Sequence, residues 1–407
     1  MTVGSAGQLA RALDRSSTVP MSDRPPKGSA PASIANHFAE LRDPRVARTR
    51  RHELLEVVTI AILAVICGAD SWDQIEEFAR GRLAWLRTFL LLEHGYPSDD
   101  TFRRVFSALD AKAFQACFAK WMKAIAGSLA GKRLAIDGKT LRGSLDSAEG
   151  LAPLHMIHAW VAENALLLGQ FVTDAKSNEI TAIPQLLALL DLRGALVTID
   201  AMGCQTAIAT KIAERGGDYL LALKDNQPLT HQEVSAYFDG AIGSAEVRCC
   251  EEVDKGHGRF ELRRVHVSDA IGWFADRARW PALKSFVAVE RERIVDGKST
   301  YERAEFLCSL KSSELARIAA ATRAHWSVEN QLHWSLDVSF REDASRIRDR
   351  NGATNFATLR RLALVALRRE KTVKKGAPSK RFRAAVDPDY LLLVLEAVTA
   401  DESGEIR

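Results

Sequence analysis

The sequence predicts an α/β protein in which an all-helical domain precedes a mixed sheet that carries a β-rich insertion. Three observations predict this class. From Phe38 to about Gly127, apolar residues recur at helical spacing. From Lys132 onward, strands are joined first by short links and then by helices, an order that gives a mixed sheet with helices against it. Between Ala245 and Leu310 apolar residues recur at every second position, which predicts antiparallel strands.

The amino-acid composition is that of a globular protein and excludes several other classes. The chain has 407 residues, 47% hydrophobic and 27% charged, which favours two or three globular domains and excludes collagen-like and fully disordered proteins. Its 6 cysteines lack metal-ligand spacing and predict reduced thiols. The longest apolar stretch, Val57 to Cys67, is too short to span a membrane, and no secretory signal is visible. We therefore expect a cytoplasmic protein without a membrane partner.

The N-terminal part divides into a tail and a helical domain. Residues 1–34 are rich in Ser, Pro, Gly and Ala and are expected to be disordered. Residues 35–128 are predicted to form helices from Leu54 to about Gly68, Trp72 to Leu92 and Thr101 to Leu109. Exposed arginines on the third helix are compatible with DNA contact and equally with an ordinary solvated helix.

Residues 129–370 are predicted to form the mixed sheet, with the insertion at about 245–310. Pro184 is expected in the first turn of its helix. Helices then run from Ser313 to Glu370, and residues 371–407 hold a basic segment and a helix from Pro388 to Ala400. The predicted strands are Lys132–Asp137, Leu154–Ala162, Ala165–Thr173, Ala195–Asp200, Asp218–Leu223, Glu246–Val253, Phe260–Val267, Ser285–Val295 and Ser299–Ser309, with helices Ile180–Asp191 and Thr206–Arg215 between them.

The excess of positive charge is concentrated in one segment near the C-terminal end of the sequence. The net charge is +4, yet the segment Arg368 to Arg383 holds eight basic residues against Glu370 alone. The remainder of the chain is therefore slightly negative. Such a segment suits contact with a polyanion, and a solvated tail explains it equally well.

Two aspartates end neighbouring apolar strands. Asp137 ends the first strand and Asp200 the fourth. One such carboxylate is more often a cap for the next helix, but two on adjacent strands favour metal ligands, because like charges held close together need a cation.

A third acidic residue, Glu329, lies in a helix on the same face as His325 and His333. Zinc is disfavoured because the two histidines are eight residues apart. A partly buried polar helix remains the alternative interpretation. Asp337, Glu342 and Asp343 compete with Glu329 for the third carboxylate position. The strand histidines His155 and His158 are predicted to be core or surface residues rather than ligands.

Basic residues flank these positions. Lys139 and Arg142 follow Asp137, and Lys224 follows the fifth strand at the sheet end expected to hold Asp200. Each could contact a phosphate or belong to a solvated loop.

With these residues, the chain from about 36 to 370 resembles the DDE (Asp-Asp-Glu) insertion-sequence transposases, in particular the subgroup that includes the H-repeat-associated proteins. The resemblance is carried by an N-terminal part similar to the transposase-associated domain and by ordered motifs in the catalytic part. The motifs are Asp43-Pro44-Arg45, Gly68–Trp72, Pro97–Phe102, Ile136–Lys139, Asp200–Gln205, His325–Trp334, Leu336–Val338 and Glu342-Asp343.

The resemblance implies an RNase H-like fold in which Asp137, Asp200 and Glu329 bind two Mg²⁺ or Mn²⁺ ions. Asp137 is expected to bridge them, with one ion held by Asp200 and one by Glu329. The implied activity is cleavage of DNA at element ends, followed by transfer of the 3′-OH into target DNA. The implied partners are double-stranded DNA, as terminal inverted repeats and target, and a second copy in a synaptic homodimer.

The wider family places a Tyr, an Arg and a Lys around its Glu, where this chain has Thr322, His325 and Leu336. Phosphate contacts are therefore expected from other residues. Two rival hypotheses remain: an inactive relic that only binds DNA, and a nuclease of the same fold that does not transfer strands. The expected sources of phosphate contact are Arg323, His325 and His333, together with Arg368, Arg369, Lys374 and Lys375 of the basic segment.

Overall fold

The computed structural model describes residues 34, 36–146, 149–173, 179–256 and 259–399. The tail predicted to be disordered, residues 1–34, lies outside the described residues apart from Ile34, which is part of the hydrophobic core. The predicted mixed α/β architecture is confirmed, since helices pack against one large mixed sheet. No helix in these ranges is long and apolar enough to cross a membrane.

The N-terminal region is helical, but two boundaries differ from the prediction. The helix predicted from Trp72 to Leu92 ends at Gly81, because Arg82 leaves the helical conformation with φ −113° and ψ 14°. A separate helix follows Asp110, whose carboxylate accepts a hydrogen bond from the Ala113 N–H at 2.9 Å and caps it. The helices are α1 (Leu54–Ile66), α2 (Trp72–Gly81), α3 (Leu83–Leu86), α4 (Asp99–Ala108) and α5 (Ala111–Ala126).

The first five strands form the mixed part of the sheet that the strand order predicts: β1, β2 and β3 are antiparallel, and β4 and β5 run parallel to β1. β1 pairs antiparallel with β2 and parallel with β4, and β4 pairs parallel with β5. Pro184 lies beyond the first turn of its helix, contrary to the prediction. The elements are β1 (Arg133–Leu141), β2 (Leu154–Val161), β3 (Leu166–Thr173), α6 (Glu179–Ala188), β4 (Leu196–Ile199), α7 (Thr206–Glu214) and β5 (Asp218–Leu223).

The insertion extends the same sheet. Its last strand pairs antiparallel with β5, so the strand order across the described sheet is β3-β2-β1-β4-β5-β9-β8-β7-β6. A helix that the sequence pattern did not predict, Pro228–Ala241, precedes the insertion. The elements are α8 (Pro228–Ala241), β6 (Val247–Gly256), β7 (Arg259–Ser268), β8 (Ser285–Val295) and β9 (Lys298–Cys308).

The C-terminal helices return to the N-terminal region. The long helix α11 is buried along most of its length and packs against α1, α4, α5 and β3. One hydrophobic core therefore joins the N-terminal helices to the sheet. The elements are α9 (Leu315–Ser327), a π-helical segment (Val328–His333), α10 (Trp334–Phe340), α11 (Arg350–Arg369), α12 (Ala377–Val386) and α13 (Pro388–Glu396).

Glu370 fastens the last two helices to α11. Its carboxylate accepts hydrogen bonds from the Tyr390 hydroxyl at 2.6 Å and the Thr372 N–H at 2.5 Å, and Lys380 Nζ lies 3.1 Å away. Burial alone would raise the pKa of this carboxyl. The hydrogen bonds from Thr372, Tyr390 and Lys380 outweigh burial and lower the pKa to about 2.

Glu370→Gln should lower the free energy of unfolding by about 2 kcal/mol at pH 7. Because the folded-state pKa lies below the unfolded value of 4.5, this stabilisation is present above pH 4.5 and is lost as the pH falls towards 2. Urea unfolding of wild type and variant at pH 7 and pH 3 measures the difference. The control is Glu396→Gln on the exposed side of α13. A difference from wild type that is the same at both pH values would contradict the assignment.

Candidate active site

The sequence predicted Asp137 at the end of β1, but the residue lies within this strand. The antiparallel pairing with β2 continues as far as Leu141, which lengthens the strand. The parallel pairing with β4, however, stops at Ile136 and Ile199. Asp137 and Asp200 therefore each follow the last paired residue of two adjacent parallel strands, and they lie at the same edge. Asp200 also accepts a hydrogen bond from the Gly203 N–H at 3.3 Å, so it caps the following turn as well.

The Asp137 carboxyl is buried and lies in the field of three other acidic side chains. Burial raises the pKa of this carboxyl, the negative charges of Asp200, Glu329 and Glu179 raise it further, and the Gly138 N–H, at 2.8 Å, opposes them; the result is a pKa of about 7. The charges of the other two predicted acidic residues, Asp200 and Glu329, thus act on Asp137. Glu179 was missed by sequence reasoning, because an acidic residue in the first turn of a helix needs no further explanation.

Glu329 occupies the π-helical segment Val328–His333 between α9 and α10. Its side chain is exposed, and its charge acts on Asp137. Short π-helical segments are frequent at functional sites, since they redirect side chains relative to an α-helix.

The three competing carboxylates are held by other residues. Asp337 binds Lys139 Nζ through both oxygens, at 2.7 and 2.9 Å. Glu342 is fully buried and forms two hydrogen bonds with Arg361, at 2.6 and 3.1 Å. Asp343 lies 3.5 Å from Lys139. These contacts favour Glu329 as the third acidic residue of the site.

The donor set fits a hard divalent cation. Three carboxylates supply the oxygen ligands that Mg²⁺ and Mn²⁺ prefer, and their mutual repulsion is what a cation would relieve. Among the described residues, no group of three or more His, Cys, Asp or Glu side chains is arranged closely enough to hold a metal ion. The chemistry of a metal site is therefore present, but the carboxylates do not together form a closed coordination sphere.

Two histidines on the Glu329 helix face inward. His333 Nδ1 lies 3.6 Å from Asp137 Oδ2, and burial, followed by the charges of Lys139 and Arg361, lowers its pKa to about 3. The ring is therefore neutral at neutral pH. His325 shares a hydrogen bond with Thr198 on β4 at 3.0 Å, and burial lowers its pKa to about 4. Both predicted phosphate contacts thus lie in packed positions.

The backbone after Asp137 lies against a third histidine, His155. His155 Nε2 and Glu179 Oε1 are hydrogen bonded, and His155 Nδ1 lies 3.0 Å from Thr140 Oγ1. A Cβ atom placed on Gly138 would collide with both the His155 ring and the Glu179 carboxylate. His155 and His158 are both buried, as the core interpretation predicted.

The predicted DNA-contacting residues near the site differ in exposure. Lys139 is buried against Asp337, whereas the Arg142 side chain is 81% exposed. Lys224 is exposed in the loop after β5, which is fastened to the Asp200 loop by the Gln227 amide on the Cys204 carbonyl at 3.1 Å.

Arg323 on α9 contacts the insertion. Its guanidinium lies 3.2 Å from Glu252 and 3.4 Å from Asp254, both on β6. Since the Arg323 side chain is 57% exposed, these pairs are accessible to solvent. This predicted phosphate contact is therefore at the surface and is paired with two carboxylates.

The basic segment is only partly a surface feature. Arg368 donates to Ser335 Oγ at 2.8 Å and lies over the Trp160 ring, and Arg369 donates to the Ala397 carbonyl at 2.8 Å. Both arginines therefore hold elements together. Lys380 and Arg381 are buried, whereas Lys374 and Lys375 are exposed. The segment contains α12, so it is not a solvated tail throughout.

Comparisons with known proteins define the class. The sequence model of the family described as "Transposase DDE domain" matches residues 102–366, and that described as "DDE_Tnp_1-associated" matches residues 35–122. The chain belongs to the family of transposases with a DDE domain.

Its relatives include putative transposases and H-repeat-associated proteins. The "Putative transposase YncI" of Escherichia coli O157:H7 is 40% identical over 89% of this chain and 94% of its own length. The "H repeat-associated putative transposase YhhI" of Escherichia coli K12 is 37% identical over 89% of this chain and 97% of its own length. A solved structure of the piggyBac transposase synaptic complex with hairpin DNA aligns with a TM-score of 0.40 and 10% identity, over 92% of this chain and 77% of that one.

Gly138→Ala should lower the free energy of unfolding by about 1–3 kcal/mol, because the new methyl group has to displace the buried His155–Glu179 pair. Urea unfolding measures the change. Gly240→Ala in α8 is the control: nothing lies within 4 Å of a Cβ there, so it should be neutral or stabilising by up to about 1 kcal/mol. Equal stability of Gly138→Ala and wild type would refute the close packing at Gly138.

Proposed function

We propose that this protein is an active DNA transposase that cleaves DNA at the ends of an insertion sequence and joins the freed 3′-OH to target DNA in a metal-dependent reaction. The observation that carries the proposal is the position of Asp137 and Asp200 at one edge of the sheet, each directly after the last paired residue of two adjacent parallel strands, with the charge of Glu329 also acting on the Asp137 carboxyl. Like charges brought together at a strand edge suit the binding of divalent cations.

The topology supports an RNase H-like catalytic domain. Three antiparallel strands, β3-β2-β1, are followed by β4 and β5, which run parallel to β1. The proposed catalytic residues Asp137 and Asp200 lie at the end of the parallel β1–β4 pair, where α/β proteins commonly place their sites. The insertion β6–β9 enters between β5 and the helix that leads to Glu329.

Asp137, Asp200 and Glu329 would hold two Mg²⁺ or Mn²⁺ ions, consistent with a family that generally uses divalent metals. When bound, the ions would activate a water molecule or a 3′-OH and stabilise the leaving oxygen. The chain's own residues orient the carboxylates. The Gly138 N–H donates a hydrogen bond to Asp137 Oδ1 at 2.8 Å. The Lys139–Asp337 pair fastens β1 to α10, so the strand of Asp137 is joined to the helix that follows Glu329.

The proposed partner is double-stranded DNA, as terminal inverted repeats and target. Arg142, Lys224, Lys374 and Lys375 are exposed basic residues suited to phosphate contacts. Because two element ends have to be brought together, we expect a homodimer in the synaptic complex. Cytoplasmic location at the nucleoid follows from this substrate.

The second candidate function is DNA binding by an inactive relic. The observation that favours it is the open arrangement of the carboxylates, since no closed metal-binding group is found among the described residues. A relative named "Inactive transposase YbfQ" is 35% identical over 18% of this chain. Cleavage by the purified protein separates the two functions.

Asp137→Asn should reduce cleavage of DNA carrying the element ends at least about 100-fold in Mg²⁺, because the amide cannot replace a charged ligand. DNA binding should be unchanged. A gel cleavage assay and a binding assay on the same DNA measure the two effects, with the exposed Asp389→Asn as the control. Cleavage retained by Asp137→Asn would remove this residue from the mechanism, and a wild type that binds without cleaving would favour the relic.

Lys374→Glu combined with Lys375→Glu should weaken DNA binding and reduce the slope of log K against log salt concentration by about 2, one for each lost phosphate contact. Both lysines are exposed, so folding should be unaffected. The charge-matched control is Lys284→Glu with Lys311→Glu, two exposed lysines outside this segment. An unchanged slope in the first variant, or an equal change in the control, would exclude this segment as a specific DNA contact.

A further inference from the structure

A chain of buried polar side chains lies behind Asp137. It consists of His333, His158, Arg361 and Glu342, and is called the histidine–arginine chain below. His158 is the cross-strand partner of Asp137 in the β1–β2 pairing. Its ring lies edge to face with the His333 ring, with 5.4 Å between centroids. His333 Nδ1 is in turn 3.6 Å from Asp137 Oδ2.

Arg361 determines which nitrogen of His158 carries the hydrogen. The Arg361 Nε–H donates to His158 Nε2 at 2.9 Å. A guanidinium only donates hydrogen bonds, so His158 Nε2 must be the acceptor and Nδ1 must carry the hydrogen. Arg361 is itself held in place by two hydrogen bonds to Glu342, and both side chains are fully buried.

The two histidines are packed together but are not hydrogen bonded to each other. His158 Nδ1 and His333 Nε2 are both buried and without a hydrogen-bond partner among the described residues. His333 Nδ1 is the nitrogen nearer to Asp137, 3.6 Å from Oδ2. Because a carboxylate favours an N–H group over a lone pair beside it, we expect His333 to carry its hydrogen on Nδ1.

We infer that His333 and His158 are positioning residues: the His333 ring orients the Asp137 carboxylate for divalent-cation binding, and His158, whose tautomer Arg361 and Glu342 fix, supports that ring. The inference rests on the proposed function, since it assigns Asp137 to a metal site. Such outer contacts restrict the rotation of a ligating carboxylate, and their loss weakens metal binding without removing a ligand.

The test is Mn²⁺ binding to the full-length, metal-free protein, measured by titration calorimetry. His158→Phe keeps the size of the ring but removes both nitrogens. It should weaken Mn²⁺ binding about 10-fold to 100-fold while DNA binding in EDTA stays unchanged. Mn²⁺ affinity equal to that of wild type would overturn the inference.

Gln170→Leu is the matched control for a structural effect. Gln170 lies opposite His158 on β3 and donates to Thr358 Oγ1 of α11 at 2.6 Å, in a buried position. The variant therefore loses a comparable bond between the sheet and α11, but one that does not reach Asp137. It should bind Mn²⁺ as the wild type does. Equal weakening in Gln170→Leu and His158→Phe would overturn the inference in favour of general destabilisation.

Two substitutions at His333, whose side chain is 14% exposed, keep the test decisive if His158→Phe fails to fold. His333→Asn retains a donor near the position of Nδ1 and should bind Mn²⁺ nearly as wild type does, whereas His333→Phe should bind about 10-fold more weakly or worse. Wild-type affinity in His333→Phe would overturn the inference.

Asp137→Asn separates the inference from the proposed function. The loss of a ligand should weaken Mn²⁺ binding more than any substitution in the histidine–arginine chain. If Asp137→Asn binds Mn²⁺ as wild type does, the proposed metal site itself is wrong. If Asp137→Asn loses affinity and the His333 variants do not, only the positioning role is lost.

Discussion

The parallel pairing of β1 with β4 is the constraint on which the rest of the site depends. It ends at Ile136 and Ile199, so the next residue of each strand, Asp137 and Asp200, is placed at one edge of the sheet. Burying one carboxylate beside another is unfavourable, and the pKa of Asp137 rises to about 7 as a result. The Gly138 N–H, which donates to Asp137 at 2.8 Å, opposes this rise.

The two sides of the site are built differently. Behind Asp137, the fully buried Arg361 of α11 is held by Glu342 and contacts β2 through His158. The same helix reaches the N-terminal region, where the Asn355 amide donates to the Phe106 and Leu109 carbonyls. The rear of the site is thus continuous with the core of the whole protein. At the front, by contrast, Glu329 lies on a π-helical segment and its side chain is exposed to solvent.

Much of the fold follows from local patterns. The strands Asp218–Leu223 and Ser285–Val295 have the predicted bounds, because apolar runs or alternation and flanking turn residues specify them. The extension of β1 beyond Asp137 could not be predicted, since Gly138 and Lys139 are poor strand formers and are held in the sheet by pairing with β2. Helix α8 was missed because its apolar residues are too sparse to mark a face.

The sequence by itself determined the candidate acidic residues: Asp137 and Asp200 follow apolar strands, and Glu329 lies on a helix, whatever the rest of the chain does. Tertiary structure alone decided that Glu329, and not Asp337, has its charge near Asp137, because Lys139 binds Asp337. It also buried Lys380 and Arg381 of the basic segment and added Glu179 to the site. The physical reason is that side-chain pairing and burial depend on contacts between residues distant in sequence, whereas strand and helix patterns depend on near neighbours.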